Sequence, residues 1–322
     1  MAAKPSLLFM GSPELAVTHL NALLQAGFPI VGVVTQPDKP AGRGQKLTPP
    51  PVKVYAQEKG LLIFQPERPK SPEFVDEIKK LNPDFMIVVA YGRILSEALI
   101  RLPKLACLNV HFSLLPKYRG ASCVLSAIRN GETETGVTVM QVVEKLDAGP
   151  IYLQEKVEIA ANETTGELQQ RLAQKGALLL LQSLDGIATG KLQVREQDES
   201  QASFAPLIAK EEGKIDWTKS AQEIHNHIRA MNPWPVAFTA FEGKKIKIYE
   251  SINFSNAPQP PLTLRGGEVG KILKVSAQGL EVACGSGSIL LTSVQPESKK
   301  RMSAQDFFDG YQSWISAGKV FS

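Results

Sequence analysis

The stretch LLFMGSPELAVTHLNALL, residues 7–24, decides how the first half of the chain folds. Its opening residues 7–10 are apolar without alternation, the pattern of a strand buried on both faces in a parallel sheet. Gly11, Ser12 and Pro13 form a turn, and Pro13 suits the first turn of a helix. From Glu14 to Leu24 the period predicts a helix with Leu15, Leu20, Leu23 and Leu24 inward. The same rhythm continues outward. Residues 30–35, 85–90 and 107–110 read as further buried strands, and residues 71–81 as a helix with Phe74, Ile78 and Leu81 on one face. These units predict an α/β domain with a doubly wound, mostly parallel, Rossmann-like sheet. Its ligand belongs at the carboxyl ends of the strands.

Residues 162–190 predict one long helix, with Leu168, Leu172, Leu179 and Leu184 in period and Gly190 as its stop. The text from 191 to 209 is polar and reads as a linker. Beyond it lie a helix at 221–231 and short β-like runs at 237–241, 246–252, 269–275, 280–283 and 289–294. Short strands parted by glycine turns predict a small OB-like β-barrel. The expected organisation is a catalytic domain over 1–190, a linker over 191–209 and a smaller barrel domain over 210–322.

Composition narrows the function classes. A chain of 322 residues can bury two cores, and 43% apolar with 21% charged residues is ordinary for a soluble protein. Residues 7–10 are too short an apolar run for a signal peptide, and no run reaches membrane length. Cys107, Cys123 and Cys284 lie far apart, without disulfide-framework or zinc spacing, so a reducing cytoplasm is expected and no metal. The net charge of +4 neither demands nor excludes a nucleic acid, so its distribution must decide.

Three segments can carry chemistry. In Asn109-Val110-His111 the side-chain period of two puts an amide and an imidazole on one strand face. The pair can hold the oxygen of a tetrahedral intermediate, with His111 also moving a proton; it can equally be a polar strand end satisfied by its loop. Asp147, in Leu146-Asp147-Ala148-Gly149-Pro150, follows a strand expected at 138–143. It reads either as an ordinary turn or as a carboxylate that orients His111 or accepts a proton from an amine. The loop 36–51, QPDKPAGRGQKLTPPP, is far longer than the usual connection of roughly 2 to 6 residues. Lys39, Arg43, Lys46 and nearby Lys53 outweigh Asp38, which suits phosphates as well as it suits a solvated loop. Gly11-Ser12-Pro13 is not a dinucleotide fingerprint. His225 and His227 face apart on their helix, His19 reads as a helix-surface residue, and nothing beside Cys123 marks it as a nucleophile.

Taken in order, these pieces resemble the folate-dependent formyltransferases. The resemblance rests on Asn109-Val110-His111 with Ser113-Leu114-Leu115-Pro116, then Tyr118-Arg119-Gly120-Ala121 and Leu146-Asp147-Ala148-Gly149. Over nearly the whole chain it is strongest to the branch that acts on methionyl-tRNA. Further pieces are Ala41-Gly42-Arg43-Gly44, Val89-Ala90-Tyr91-Gly92, Ile215-Asp216-Trp217, Asn232-Pro233-Trp234-Pro235 and Lys299-Lys300-Arg301-Met302. It implies 10-formyltetrahydrofolate as donor co-substrate and the α-amine of methionyl initiator tRNA as acceptor, in translation initiation, with a monomeric enzyme. It implies Asn109, His111 and Asp147 as the catalytic set. Ser113, Leu114, Leu115 and Pro116, with Tyr91, Gly92, Ile94 and Leu95, would line the folate pocket. Lys39, Arg43, Lys46, Lys53 and Lys210 would meet the tRNA, helped by the carboxyl-terminal domain. One departure stands out: after Arg119-Gly120-Ala121 the family usually has a small residue, Pro and an aliphatic, whereas this chain has Ser122-Cys123-Val124. A small-amine formyltransferase, a catalytically silent RNA-binding protein and a nicotinamide oxidoreductase are the rivals. The first has no need of the basic loop, the net charge of +3 over residues 208–322 is a slight footprint for the second, and the third lacks its glycine fingerprint.

Overall fold

The computed structural model describes residues 4–41, 44–253, 269–311 and 314–322, with the side chain at 41 excluded. The chain forms two compact units. The first comprises Met1–Cys123, Glu134–Glu158 and Gln169–Pro206, and the second Val124–Thr133, Ile159–Leu168 and Leu207–Ser322.

The first part of the chain runs β1 (Leu7–Gly11), α1 (Glu14–Gln25), β2 (Ile30–Val34), β3 (Lys39–Ala41), β4 (Lys46–Thr48), α2 (Pro51–Glu58), β5 (Ile63–Phe64) and α3 (Pro72–Leu81). It continues as β6 (Phe85–Val89), α4 (Glu97–Ile100), β7 (Ala106–His111), α5 (Cys123–Arg129), β8 (Glu134–Gln141), β9 (Ile151–Glu158) and α6 (Thr165–Ala188). Seven strands form one sheet in the order β5-β2-β1-β6-β7-β8-β9. The first five are parallel, and β8 and β9 add an antiparallel edge. The apolar run of β1 is fully buried, as its lack of alternation requires.

Local chemistry sets the helices. Ser71 caps α3 by accepting the Phe74 N–H, Pro72 opens it, and Asn82 ends it in the left-handed region. At the β1 turn a side chain on Gly11 would stand 2.8 Å from both the Ala16 Cβ and the Val89 carbonyl, so only glycine lets α1 start this close to the sheet. The strand order reverses between β1 and β6, which makes the carboxyl ends of β1, β6 and β7 the natural ligand crevice.

Several expectations change. The 36–51 loop is not structureless: β3 and β4 form a hairpin pairing Lys39 with Thr48 and Pro40 with Leu47. It buries no face against a core, so no hydrophobic period announced it. Arg43 lies outside the described residues. His19 is buried, not on the surface; its ring packs 5.9 Å from Phe112 and fits against Gly176, which has no side chain to block it. The stretch read as a linker is hydrogen-bonded into the first unit as far as Ala205. Ile151 exchanges backbone bonds with Arg195, and Arg119 does so with Ser203 and Ala205.

In the second unit α7 (Ala221–Ala230) carries the Ser220/Glu223 capping box. Then come β10 (Ala237–Phe241), β11 (Lys244–Asn253), β12 (Ile272–Ser276), β13 (Gly279–Ala283), β14 (Ser288–Pro296), β15 (Met302–Ser303) and α8 (Ala304–Tyr311). The antiparallel sheet runs β10-β11-β14-β13-β12, with β15 paired to β14. Residues 318–322 join its two edges. Phe321 N–H donates to Gly270 beside β12 at 2.9 Å, and Ala240 of β10 exchanges two 2.9 Å bonds with Ser322. The sheet thereby closes around an aromatic core in which Phe321 stacks on Trp217 at 5.6 Å.

Candidate active site

The site begins at the carboxyl end of β7. Asn109 lies in register with Val88 of β6 and His111 with Thr138 of β8, so both side chains leave the same face of the sheet. The 144–149 loop brings Asp147 to that face in the left-handed region, with φ 47°. Asn109 Nδ2 donates to Asp147 Oδ1 at 3.5 Å, and His111 Nδ1 stands 3.7 Å from Asp147 Oδ2. Both distances are at or beyond the limit of a good hydrogen bond. The three groups therefore converge without saturating one another.

Backbone groups hold each member. The Gly120 N–H donates to Asp147 Oδ2 at 2.8 Å, and the Tyr118 carbonyl is 2.9 Å from His111 Nε2. A carbonyl can only accept, so Nε2 carries a proton in either charge state and Nδ1 is the nitrogen that titrates. Burial works against a charge on His111. The Cys123 sulfur, the Asp147 carboxylate and the Tyr118 carbonyl outweigh it and push the imidazole up to about 9. At neutral pH His111 is thus an imidazolium with Nδ1 on the side of Asp147.

A side chain on Gly149 would meet the Gln141 carbonyl at 1.8 Å, which explains the glycine that ends the Asp147 loop. From residues read as a linker, Gln197 donates to the Asp147 and Gly149 carbonyls at 2.9 and 2.8 Å. Its own carbonyl accepts from Arg119, which is fully buried and also paired with Glu199. Hydrogen bonds from Arg119 and Lys145 hold the Glu199 carboxyl down to about 2. Sequence reasoning missed Gln197 and Glu199, and nothing near them in sequence signals their role. Cys123 reads from the sequence as no nucleophile and as part of a departure from the family pattern, and the structure sets its sulfur against His111.

The residues expected around a folate divide. Tyr91, Leu95, Ser113 and Leu115 are buried in the scaffold, while Leu114 and Pro116 are half-buried. Gly92 and Ile94 are exposed at a cavity of about 860 Å³ that Arg68, Lys70 and Arg93 also line. Of the basic residues, Lys53 is committed to Asp38 at 2.8 Å and Lys39 donates to Gln36, while Lys46 and Lys210 are exposed. His225 and His227 bond separately to Ser251 and to the Gly213 carbonyl.

The formyl transferase family model matches residues 4–184, and that of the formyl transferase carboxyl-terminal domain matches residues 207–312. The chain belongs to the formyl transferase family. Among its relatives, the methionyl-tRNA formyltransferase of Moorella thermoacetica is 46% identical over 305 residues, covering 95% of this chain and 96% of that protein. That of Citrifermentans bemidjiense is 44% identical over 306 residues, covering 95% and 93%. A solved N-formyltransferase from Helicobacter canadensis, in complex with folinic acid and dTDP-3-aminofucose, shares the fold with a TM-score of 0.65 at 22% identity, covering 92% of this chain and all of that one. No helix among the described residues is long and apolar enough to cross a membrane.

Proposed function

We propose that the chain transfers the formyl group of 10-formyltetrahydrofolate to the α-amine of methionyl initiator tRNA, in the cytoplasm and as a monomer, at Asn109, His111 and Asp147. The observation that carries the chemistry is the convergence of an amide N–H, an imidazolium N–H and a carboxylate on one small volume. Methionyl-tRNA formyltransferases that share over 40% of their residues across more than nine-tenths of their length support the acceptor.

The neutral acceptor amine attacks the formyl carbon, and a C–N bond forms as the carbonyl electrons move onto oxygen. Asn109 Nδ2–H and His111 Nδ1–H donate to that oxyanion. Donors fixed before the reaction need no reorganisation when the charge appears. Asp147 keeps His111 charged and takes the proton that the attacking nitrogen loses. The oxyanion electrons then re-form the carbonyl as the bond from the formyl carbon to N10 breaks, N10 takes up the proton that Asp147 accepted, and formyl-methionyl-tRNA and tetrahydrofolate leave. The chain suits such a donor. Exposed Ile94 offers an apolar surface for a flat ring, and Arg68, Lys70 and Arg93 offer cations for an anionic tail.

A tRNA acceptor is supported by the second unit. On β11, Ile246 and Ile248 face inward, so Lys245, Lys247 and Tyr249 face out. Lys245 lies 3.5 Å from the Phe238 ring centroid and Arg301 4.6 Å from that of Tyr249. Cations interleaved with aromatic faces suit phosphates and bases together. We assign residues 210–322 to tRNA binding on this ground, with the Arg43 segment and Lys210 completing the contact. A formylation assay with the folate donor supplied, comparing methionyl initiator tRNA with a glycinamide ribonucleotide, tests the reading. Transfer to the tRNA is expected, and transfer to the small amine alone would overturn it.

A further inference from the structure

His111 is gripped at both ring nitrogens, and both grips lead to the same piece of chain. On the Nδ1 side stands Asp147, whose loop is pinned where Gln197 donates to the Asp147 and Gly149 carbonyls. On the Nε2 side stands the Tyr118 carbonyl. The loop that carries it is pinned four times: Ser203 Oγ accepts the Tyr118 N–H at 2.9 Å, the Ser203 carbonyl accepts the Arg119 N–H at 2.8 Å, Ala205 N–H donates to the Arg119 carbonyl at 2.7 Å, and the Ala205 carbonyl accepts the Ser122 N–H at 3.1 Å. Gln197 and Ser203 are six residues apart on a strap that begins where Arg195 pairs with Ile151.

We infer that the strap 195–205 is a positioning element for formyl transfer, with Gln197 setting Asp147 and Ser203 setting Tyr118, so that one segment fixes both hydrogen-bonding partners of His111. Gln197 is its keystone because its amide is fully used. Two donors go to the Asp147 loop, and its oxygen takes the Nε and Nη2 hydrogens of buried Arg119. Arg119 is in turn neutralised by Glu199, which also takes Lys145 of the Asp147 loop. The need for a clamp follows from Asp147 itself. A non-glycine residue at φ 47° persists only where its surroundings over-determine it. Reacting groups displaced by about 1 Å can lose about 100-fold in rate. The inference rests on the assignment of Asn109, His111 and Asp147 as the reacting set.

The test is Gln197→Met, which keeps the side-chain length and removes both donors together with the oxygen that accepts from Arg119. We expect kcat to fall about 10- to 100-fold while KM for methionyl initiator tRNA stays within about twofold. The alkaline limb of the pH–rate profile should also move to lower pH. The titratable groups facing His111 are Cys123 and Asp147. Cys123 is untouched, so a shifted limb reports Asp147 drawing away. Ser203→Ala, which loosens the Tyr118 side alone, should shift the limb in the same direction by less, and it decides the matter if Gln197→Met does not fold. A rate loss with an unshifted limb, or wild-type behaviour in both variants, overturns the inference. An Asn109→Ala enzyme with wild-type turnover would instead sink the catalytic assignment beneath it.

Discussion

Replacing Asp147 with Asn removes a charge and leaves an oxygen for the Gly120 N–H. The His111–Asp147 separation of 3.7 Å sets the size of the effect. With an effective dielectric constant of about 20, two unit charges at that distance interact by about 4 kcal/mol, equivalent to about 3 pKa units. Burial opposes the imidazolium while the Cys123 sulfur and the Tyr118 carbonyl still favour it, so without the carboxylate His111 should fall from about 9 toward its ordinary 6.5. A fall of that full distance would cut the charged fraction at pH 8 from about nine-tenths to about one-thirtieth, so about 30-fold is the upper bound on the loss before any chemical role of Asp147 is counted. Loss of the proton acceptor adds about 100-fold or more. The assay is single-turnover formylation of methionyl initiator tRNA from pH 6 to 10. The acidic limb reports the acceptor amine losing its proton, and the alkaline limb reports His111. In the variant the alkaline limb should move to lower pH, by up to about two pH units. An alkaline limb still near 9 would refute the claim that Asp147 keeps His111 charged.

Other perturbations probe separate parts of the account. Asn109→Ala should lower kcat by about 100- to 1,000-fold, the usual cost of one oxyanion donor, while tRNA affinity measured by filter binding is unchanged. Gly149→Ala forces a methyl against the Gln141 carbonyl. It should cost about 1–3 kcal/mol in a urea melt and abolish most turnover by displacing Asp147. The double variant Lys245→Ala, Lys247→Ala should weaken tRNA binding and flatten the log–log salt dependence by about two, leaving kcat at saturating tRNA intact.

The sequence foretold those parts of the fold in which burial leaves a mark. β1 and β6 are apolar throughout and almost wholly buried, and β7 carries the same signal as far as Leu108, before Asn109 and His111 break it. β9, IYLQEKVE, is a half-exposed edge strand beside β8, and its mixed composition hides it. The β3–β4 hairpin buries nothing, so Lys39 to Thr48 read as a loop. His19 was misplaced because a polar side chain can enter the core when one nitrogen is satisfied locally, here by the Leu15 carbonyl at 2.9 Å. At the site, Asn109 and His111 were legible as one strand face. The meeting with Asp147 depends on Gly149, Gly120 and Gln197, contacts across 27 and 50 residues of chain that no local pattern encodes.

Formyl transfer by this route needs a charged His111 at neutral pH, and the chain is well suited to a direct measurement of it. It contains four histidines. Burial holds His19 down to about 4 and also lowers His225 and His227, while His111 alone is raised. A ¹⁵N imidazole NMR titration, assigned by the loss of one signal in His111→Gln, should therefore show a single histidine that stays doubly protonated to about pH 9 and then loses the Nδ1 proton. A His111 that deprotonates near 6.5, or that keeps its last proton on Nδ1, would contradict the account.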